Sequence, residues 1–282
     1  MGLTFLCGVG PKRAKKLLAK VGDVETLFRL SDQQLSNRLD LPIERIRSFK
    51  RTDALSKAHL EHEQINRRGI SVHSYLDSTY PRRLKQCEDA PLLVYSMGNF
   101  ETNPIRSIAI VGTRNQTSYG NRLTVELVET LKQIDVQVVS GLAHGVDTIA
   151  HRSALDVGIE TVGVLGHGLD RIYPAANRGL AKRMLSNGGL ITEYITGTDP
   201  DREHFPMRNR IVAGMVDALG VVLVCGAARG VSDEVEDDVE LVPKLVVAVT
   251  AKLYAVPLVK PVTVHEVVEL EHVNPLGVDV AV

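Results

Sequence analysis

The chain has 282 residues, 44% hydrophobic and 24% charged, with a formal net charge of -1. That is enough for one large α/β domain and a small accessory domain, with the balance of a soluble globular protein. Aromatic residues make up only 4% and Trp is absent, which argues against an aromatic-rich base-stacking sheet.

Three scattered cysteines, Cys7, Cys87 and Cys225, give neither a disulfide framework nor a zinc spacing, and the histidines show no metal-ligand spacing. No apolar run has the length of a membrane helix, and the patch after Met1 is too short for a signal sequence. The expected location is the cytoplasm, with no membrane partner and no metal. Charge is unevenly spread: residues 1–51 hold 11 Lys/Arg against 5 Asp/Glu, whereas residues 231–282 hold 3 against 10. A basic head admits a phosphate-rich partner.

Residues 1–68 read as a small all-helical domain. Leu17, Leu18 and Val21, then Leu27, Phe28, Leu30 and Leu35, recur at helical spacing, and Ser31 is placed to cap a helix. A further helix is expected from about Pro42 to Arg68, ending at Gly69. Within this domain Gly8-Val9-Gly10-Pro11-Lys12-Arg13 resembles the turn of a helix-hairpin-helix or SAM-like module. Gly8 and Gly10 would expose backbone N–H groups at a helix start, and Lys12 and Arg13 would add charge, an accessory DNA contact. A hairpin built for stability alone, with solvated lysines, fits the same residues.

Residues 69–105 read as a connector, because Tyr80-Pro81, Ala90-Pro91 and Gly98-Asn99 are turn signals. From 106 onward, short β-branched runs at Ile108–Val111, Val136–Val139, Val162–Leu165 and Val221–Val224 alternate with helical stretches. That order predicts a Rossmann-like parallel sheet over 106–282 with helices on both faces, and ligands at the strand ends. Residues 226–282 are atypical: from 231 onward there are 17 Val and a single glycine, with strand candidates at 246–249 and 254–256.

The candidate site residues follow strands. Gly112 and Arg114 close the first run, where a glycine admits close approach and an arginine suits phosphate. Ser140 and Gly141 open Ser140-Gly141-Leu142-Ala143-His144-Gly145-Val146-Asp147, a candidate anion nest with Asp147 as a cap for the helix carrying His151. A Ser140–Asp147–His151 triad is the weaker reading, since the nucleophile elbow is missing, and a structural His151 fits better. The glycines of Gly163–Gly168 lack dinucleotide spacing, so no cofactor is expected. Asn177 and Arg178 stand near a helix start. Arg208, Asn209 and Arg210, ahead of an apolar helix, suit an anion site, although pairing of the arginines with acids such as Glu193 fits too.

Taken in order, Val111-Gly112-Thr113-Arg114, Ser140-Gly141-Leu142-Ala143, Gly145-Val146-Asp147, Ala150-His151, Leu169-Asp170, Tyr173-Pro174, Thr192-Glu193 and Phe205-Pro206-x-Arg208-Asn209-Arg210-Ile211 resemble the DprA/Smf family of DNA-processing proteins. The resemblance spans roughly residues 1–225. It implies an extended Rossmann domain behind a helical one, working as a homodimer without catalysis. The implied role is to bind single-stranded DNA during natural transformation and to load RecA. The positions it assigns to the DNA cleft are Arg114, Gly141, Arg178, Arg208 and Arg210. His167 stands where the family commonly has cysteine. The family's C-terminal motifs, used for dimerisation and RecA contact, are missing beyond about Gly226. The alternative is a Rossmann-like nucleotide phosphoribohydrolase of the lysine-decarboxylase-like group, whose Pro-Gly-Gly-x-Gly-Thr-x-x-Glu motif this chain lacks.

Overall fold

The computed structural model describes residues 1–222. The atypical region 226–282 with its two strand candidates, and Cys225, lie outside the described residues. A 3-10 turn at Gly2–Phe5 leads to five helices: α1 (Pro11–Val21), α2 (Val24–Arg29), α3 (Asp32–Leu39), α4 (Ile43–Arg47) and α5 (Arg51–Arg68). Pro11 occupies the first turn of α1, where its missing N–H costs nothing. Ser31 caps α3 in a reciprocal box with Gln34, as expected.

The single helix expected over Pro42–Arg68 is two helices. The break falls at Lys50, which is left-handed with φ 49°. Phe49 buries its ring there, and its carbonyl accepts the Cys7 N–H at 3.1 Å instead of continuing a helix. α5 ends in the left-handed Gly69.

Beyond α5 come β1 (Ser71–Ser74), α6 (Arg82–Lys85), β2 (Leu93–Asn99), β3 (Ser107–Gly112), α7 (Ser118–Leu131), β4 (Gln137–Ser140), α8 (Val146–Val157), β5 (Thr161–Leu165), α9 (Arg178–Met184), β6 (Gly188–Thr192), α10 (His204–Gly214) and β7 (Ala218–Val222). All strands form one sheet in the order β1-β2-β6-β5-β4-β3-β7. The five strands from β6 to β7 are parallel, the Rossmann-like part that was expected. The sheet as a whole is mixed, however. β1 and β2, from the segment read as a connector, add to β6 antiparallel. The buried run Leu92-Leu93-Val94-Tyr95 drives this, because these side chains leave water only by extending the sheet.

The period-2 alternation sorts the core. Ala109, Val139, Val162, Val164 and Ile191 face α6 and α10. Ile110 and Val138 face α7 and α8. Leu165 and Leu190 join Met184 of α9 and the apolar faces of α1, α3 and α4 in one continuous core, so the helical domain is packed onto the sheet. The Glu61 carboxylate reinforces this by accepting the Thr196 N–H at 2.9 Å and its hydroxyl at 2.6 Å. Strand order reverses at β3, which lies between β4 and β7, so the C-terminal end of β3 is where a ligand crevice is expected.

Candidate functional site

The crevice forms where the loops after β3 and β4 touch. Gly145 has φ 82°, and a Cβ there would overlap the Thr113 carbonyl. The Val146 N–H donates to that carbonyl at 3.2 Å. Gly112 is equally confined, between the Val222 carbonyl and the Val146 side chain. These glycines bring the two loops together, and Arg114 emerges exposed from the contact.

The loop after β4 holds itself. Asp147 sits at the start of α8, and its carboxylate accepts the Gly141 and Ala143 N–H groups at 3.1 and 3.3 Å. Two donors of the expected anion nest are thus occupied by the protein's own carboxylate. Ser140 Oγ donates to the Ile110 carbonyl at 2.6 Å, inside the sheet. Leu142 is left-handed, φ 56°, and Asn177 fixes it there, its Nδ2 donating to the Leu142 carbonyl and Thr148 Oγ1, both at 2.9 Å. Ser140 and Asn177, both buried, therefore build the loop from behind and do not face the cleft.

Arg208 and Arg210 part company. Both lie within α10, not ahead of it, and residues two apart on a helix point about 200° away from each other. Arg208 is buried under Gly141, whose missing Cβ makes room for the guanidinium. Its Nη1 donates to the Val164 carbonyl at 2.6 Å, while its Nε is buried with no partner among the described residues. Burial holds the Arg208 pKa below its usual value, with nearby Arg114 adding to the effect and the Asp147 charge opposing it. Burial raises the Asp147 carboxyl against the pull of Arg208. Arg210 turns to the other side, donating to Glu193 at 2.5 Å and to the Asp89 carbonyl at 2.8 Å. That is the pairing with Glu193 weighed from the sequence.

The triad is not assembled. His151 Nδ1 meets Thr161 Oγ1 at 2.7 Å, with no hydrogen bond to Ser140 or Asp147. Full burial, with Arg208 nearby, pushes its pKa down to about 3, so the ring is neutral. Its Nε2 is buried without a partner among the described residues.

What does face solvent is a cavity of about 520 Å³ lined by Gly112, Arg114, Tyr173, Arg202, Phe205 and Asn209, with Arg208 in its wall. Tyr173 and Phe205 stack with centroids 5.7 Å apart, and the Arg114 guanidinium lies over the Phe205 ring at 5.5 Å. The buried His167 holds Tyr173 by accepting its N–H at 3.3 Å through Nε2. Tyr173, Phe205 and Arg202 are absent from the site residues that the sequence suggests, although Tyr173-Pro174 and Phe205-Pro206 are among its motifs. Their ring-on-ring contact spans more than thirty positions and leaves no local signal. Arg178, at the start of α9, is exposed and has no acidic partner among the described residues.

In the helical domain Gly8 adopts φ 67° and Gly10 caps α1, as a hairpin turn requires. The Gly8 carbonyl is held by Arg13 at 3.1 Å and Arg45 at 3.4 Å, and Lys12 pairs with Glu88 at 2.6 Å. Among the described residues no group of three or more His, Cys, Asp or Glu is placed to hold a metal ion, and no helix is long and apolar enough to cross a membrane.

Comparison with known proteins points one way. Residues 71–236 match the family of DNA recombination-mediator protein A. The chain is 39% identical over 166 residues to protein Smf of Synechocystis, covering 57% of this chain and 41% of that protein. It is 37% identical over 161 residues to DNA processing protein DprA of Streptococcus pneumoniae, covering 57% and 56%. The chain thus spans about half the length of the curated relatives it matches. The X-ray structure of the Streptococcus pneumoniae protein superimposes with a TM-score of 0.64 at 30% identity, over 81% of this chain and 77% of that one. With the family matched over more than half of its length and the same α/β architecture, this chain belongs to the DprA/Smf family of DNA recombination-mediator proteins.

Proposed function

We propose that the chain binds single-stranded DNA without regard to sequence, in the cavity at the end of β3. The observation that carries the reading is the Arg114–Phe205–Tyr173 stack. A cation beside the exposed Tyr173 ring, itself stacked on the half-buried Phe205, offers a phosphate contact and a base-stacking surface together, and both are blind to base identity. Arg202 and Asn209 extend the polar lining. Arg178 is a further exposed cation on the same end of the sheet. Gly112 and Gly141 serve by what they leave out, and Ser140, Asn177, Arg208 and Arg210 serve by holding the loops in place.

In this reading the protein is a binder that works in the cytoplasm as a homodimer and passes the strand to RecA, in recombination following DNA uptake. It needs no cofactor. A phosphoribohydrolase would require a reactive group at the cleft, and among the described residues Ser140, Asp147 and His151 are each engaged in structural hydrogen bonds. The test is fluorescence anisotropy of labelled oligo-dT against a duplex of equal length at several salt concentrations. Salt-sensitive preference for the single strand is expected; equal or absent binding contradicts the reading.

A further inference from the structure

Helix α1 carries its cations on two faces. Lys12 and Lys15 turn to the sheet domain: Lys12 pairs with Glu88, and Lys15 lies over the Tyr75 ring at 4.3 Å. Arg13, Lys16 and Lys20 follow the spacing i, i+3, i+7 and share the other face. They rim a groove of about 650 Å³ that Arg45 closes from α4, over a floor that includes Val9, Leu17, Leu39 and Leu41. Among the described residues no carboxylate lines the groove and none of these four cations forms an ion pair.

We propose that this groove is a second binding site for a nucleic-acid strand, distinct from the cavity at the end of β3. The proposal rests on the reading that the protein binds single strands, and it moves the DNA contact of the helical domain from the Gly8–Gly10 turn to the exposed face of α1. The Gly8 carbonyl already holds Arg13 and Arg45, and Lys12 is spent on Glu88. Charge complementarity selects the occupant. Four cations around one groove, three of them steadied by backbone carbonyls that leave their charge unneutralised, match phosphates of a flexible strand, and the apolar floor accepts the faces of unstacked bases. Lys20 is held in place by its bond to the Leu39 carbonyl at 3.1 Å, so one cation is fixed at the groove's far end.

One residue joins the groove to the end of the sheet that bears the cleft. Val9 lines both the groove and the seam where the helical domain meets Glu193, Tyr194 and Ile195, just past the end of β6. In a parallel sheet this is the same end that carries Arg114. One strand then runs from the cavity onto the helical domain.

The test compares the intact chain with a Lys16→Gln/Lys20→Gln variant, on strands of about six and about thirty nucleotides, a short site and a long one. A Lys57→Gln/Lys132→Gln variant, with the same loss of charge elsewhere, is the control. The groove variant should bind the short strand as the parent does. It should bind the long strand about tenfold more weakly near 50 mM salt, with the salt slope flatter by about 1.4, roughly 0.7 per lost phosphate contact. An unchanged long-strand affinity, or an equal loss in the control, overturns the proposal and leaves the groove to an acidic peptide partner. Failure of the cleft reading looks different: an Arg114→Ala chain would then bind the long strand as the parent does, while the groove variant still loses affinity. A parent chain that binds neither strand overturns both.

Discussion

Arg208 lies directly beneath Gly141, its guanidinium in the space a Cβ would fill. This contact couples α10 to the loop after β4, because Arg208 also reaches the Val164 carbonyl and feels the Asp147 charge. Replacing Gly141 with Ala is therefore expected to displace a buried charge in the wall of the cavity. Moving the guanidinium off the Val164 carbonyl leaves a buried charge and a buried acceptor without their bond, at a cost of about 1–3 kcal/mol, which the Gly141→Ala chain should show in urea denaturation. Loss below about 1 kcal/mol would show that the guanidinium moves freely.

Arg210 and Arg114 should separate stability from binding. Arg210→Ala strands the largely buried Glu193, whose carboxyl burial already raises, and should destabilise by up to about 3 kcal/mol. Strand affinity measured well below the melting point should change little. Arg114, exposed and without an acidic partner among the described residues, should show the reverse: an unchanged melting temperature and weaker strand binding.

Asn177→Ala removes the donor that holds Leu142 in its left-handed conformation. The buried Leu142 carbonyl and the part-buried Thr148 hydroxyl lose their partner, at a cost of about 1–3 kcal/mol. Amide hydrogen exchange should rise first at Leu142 and Ala143, and a uniform rise across the sheet would contradict this local role.

His151 makes the fold acid-sensitive. Its folded pKa, near 3, lies below the ordinary 6.5, so the unfolded chain binds more protons between those values. Stability contributed by the neutral ring is complete above the unfolded pKa and is lost as pH falls toward the folded one. Between pH 7 and pH 5 the loss from this group is about 2 kcal/mol. A His151→Gln chain, which keeps a partner for Thr161, should show a smaller drop in melting temperature over that interval. An identical drop would place the proton uptake elsewhere.

The legible parts of the fold were those with a local period. β3, β4, β5 and β7 showed as β-branched runs, and Ser31 announced the cap of α3. β6 was hidden because it opens on Gly188 and Gly189, which carry no side chain to show alternation. Gly188 lies against the Thr161 carbonyl, and the Phe100 ring covers Gly189. β2 was masked by turn signals, Ala90-Pro91 before it and Gly98-Asn99 at its own end. In the site, Gly112 and Arg114 were legible from the strand end. Arg208 and Arg210 looked equivalent in sequence, and only their places on α10 turn one into the core and the other toward Glu193. The Tyr173–Phe205 stack joins residues far apart in the chain, which no local pattern encodes.

The most direct test of the cleft is the salt dependence of oligo-dT binding by the parent chain and by Arg114→Ala. If Arg114 holds one phosphate, the slope of log affinity against log salt should flatten by about 0.7, with affinity reduced on every sequence alike. Identical slopes and affinities in the two chains would contradict the assignment of the β3 cavity as the DNA site.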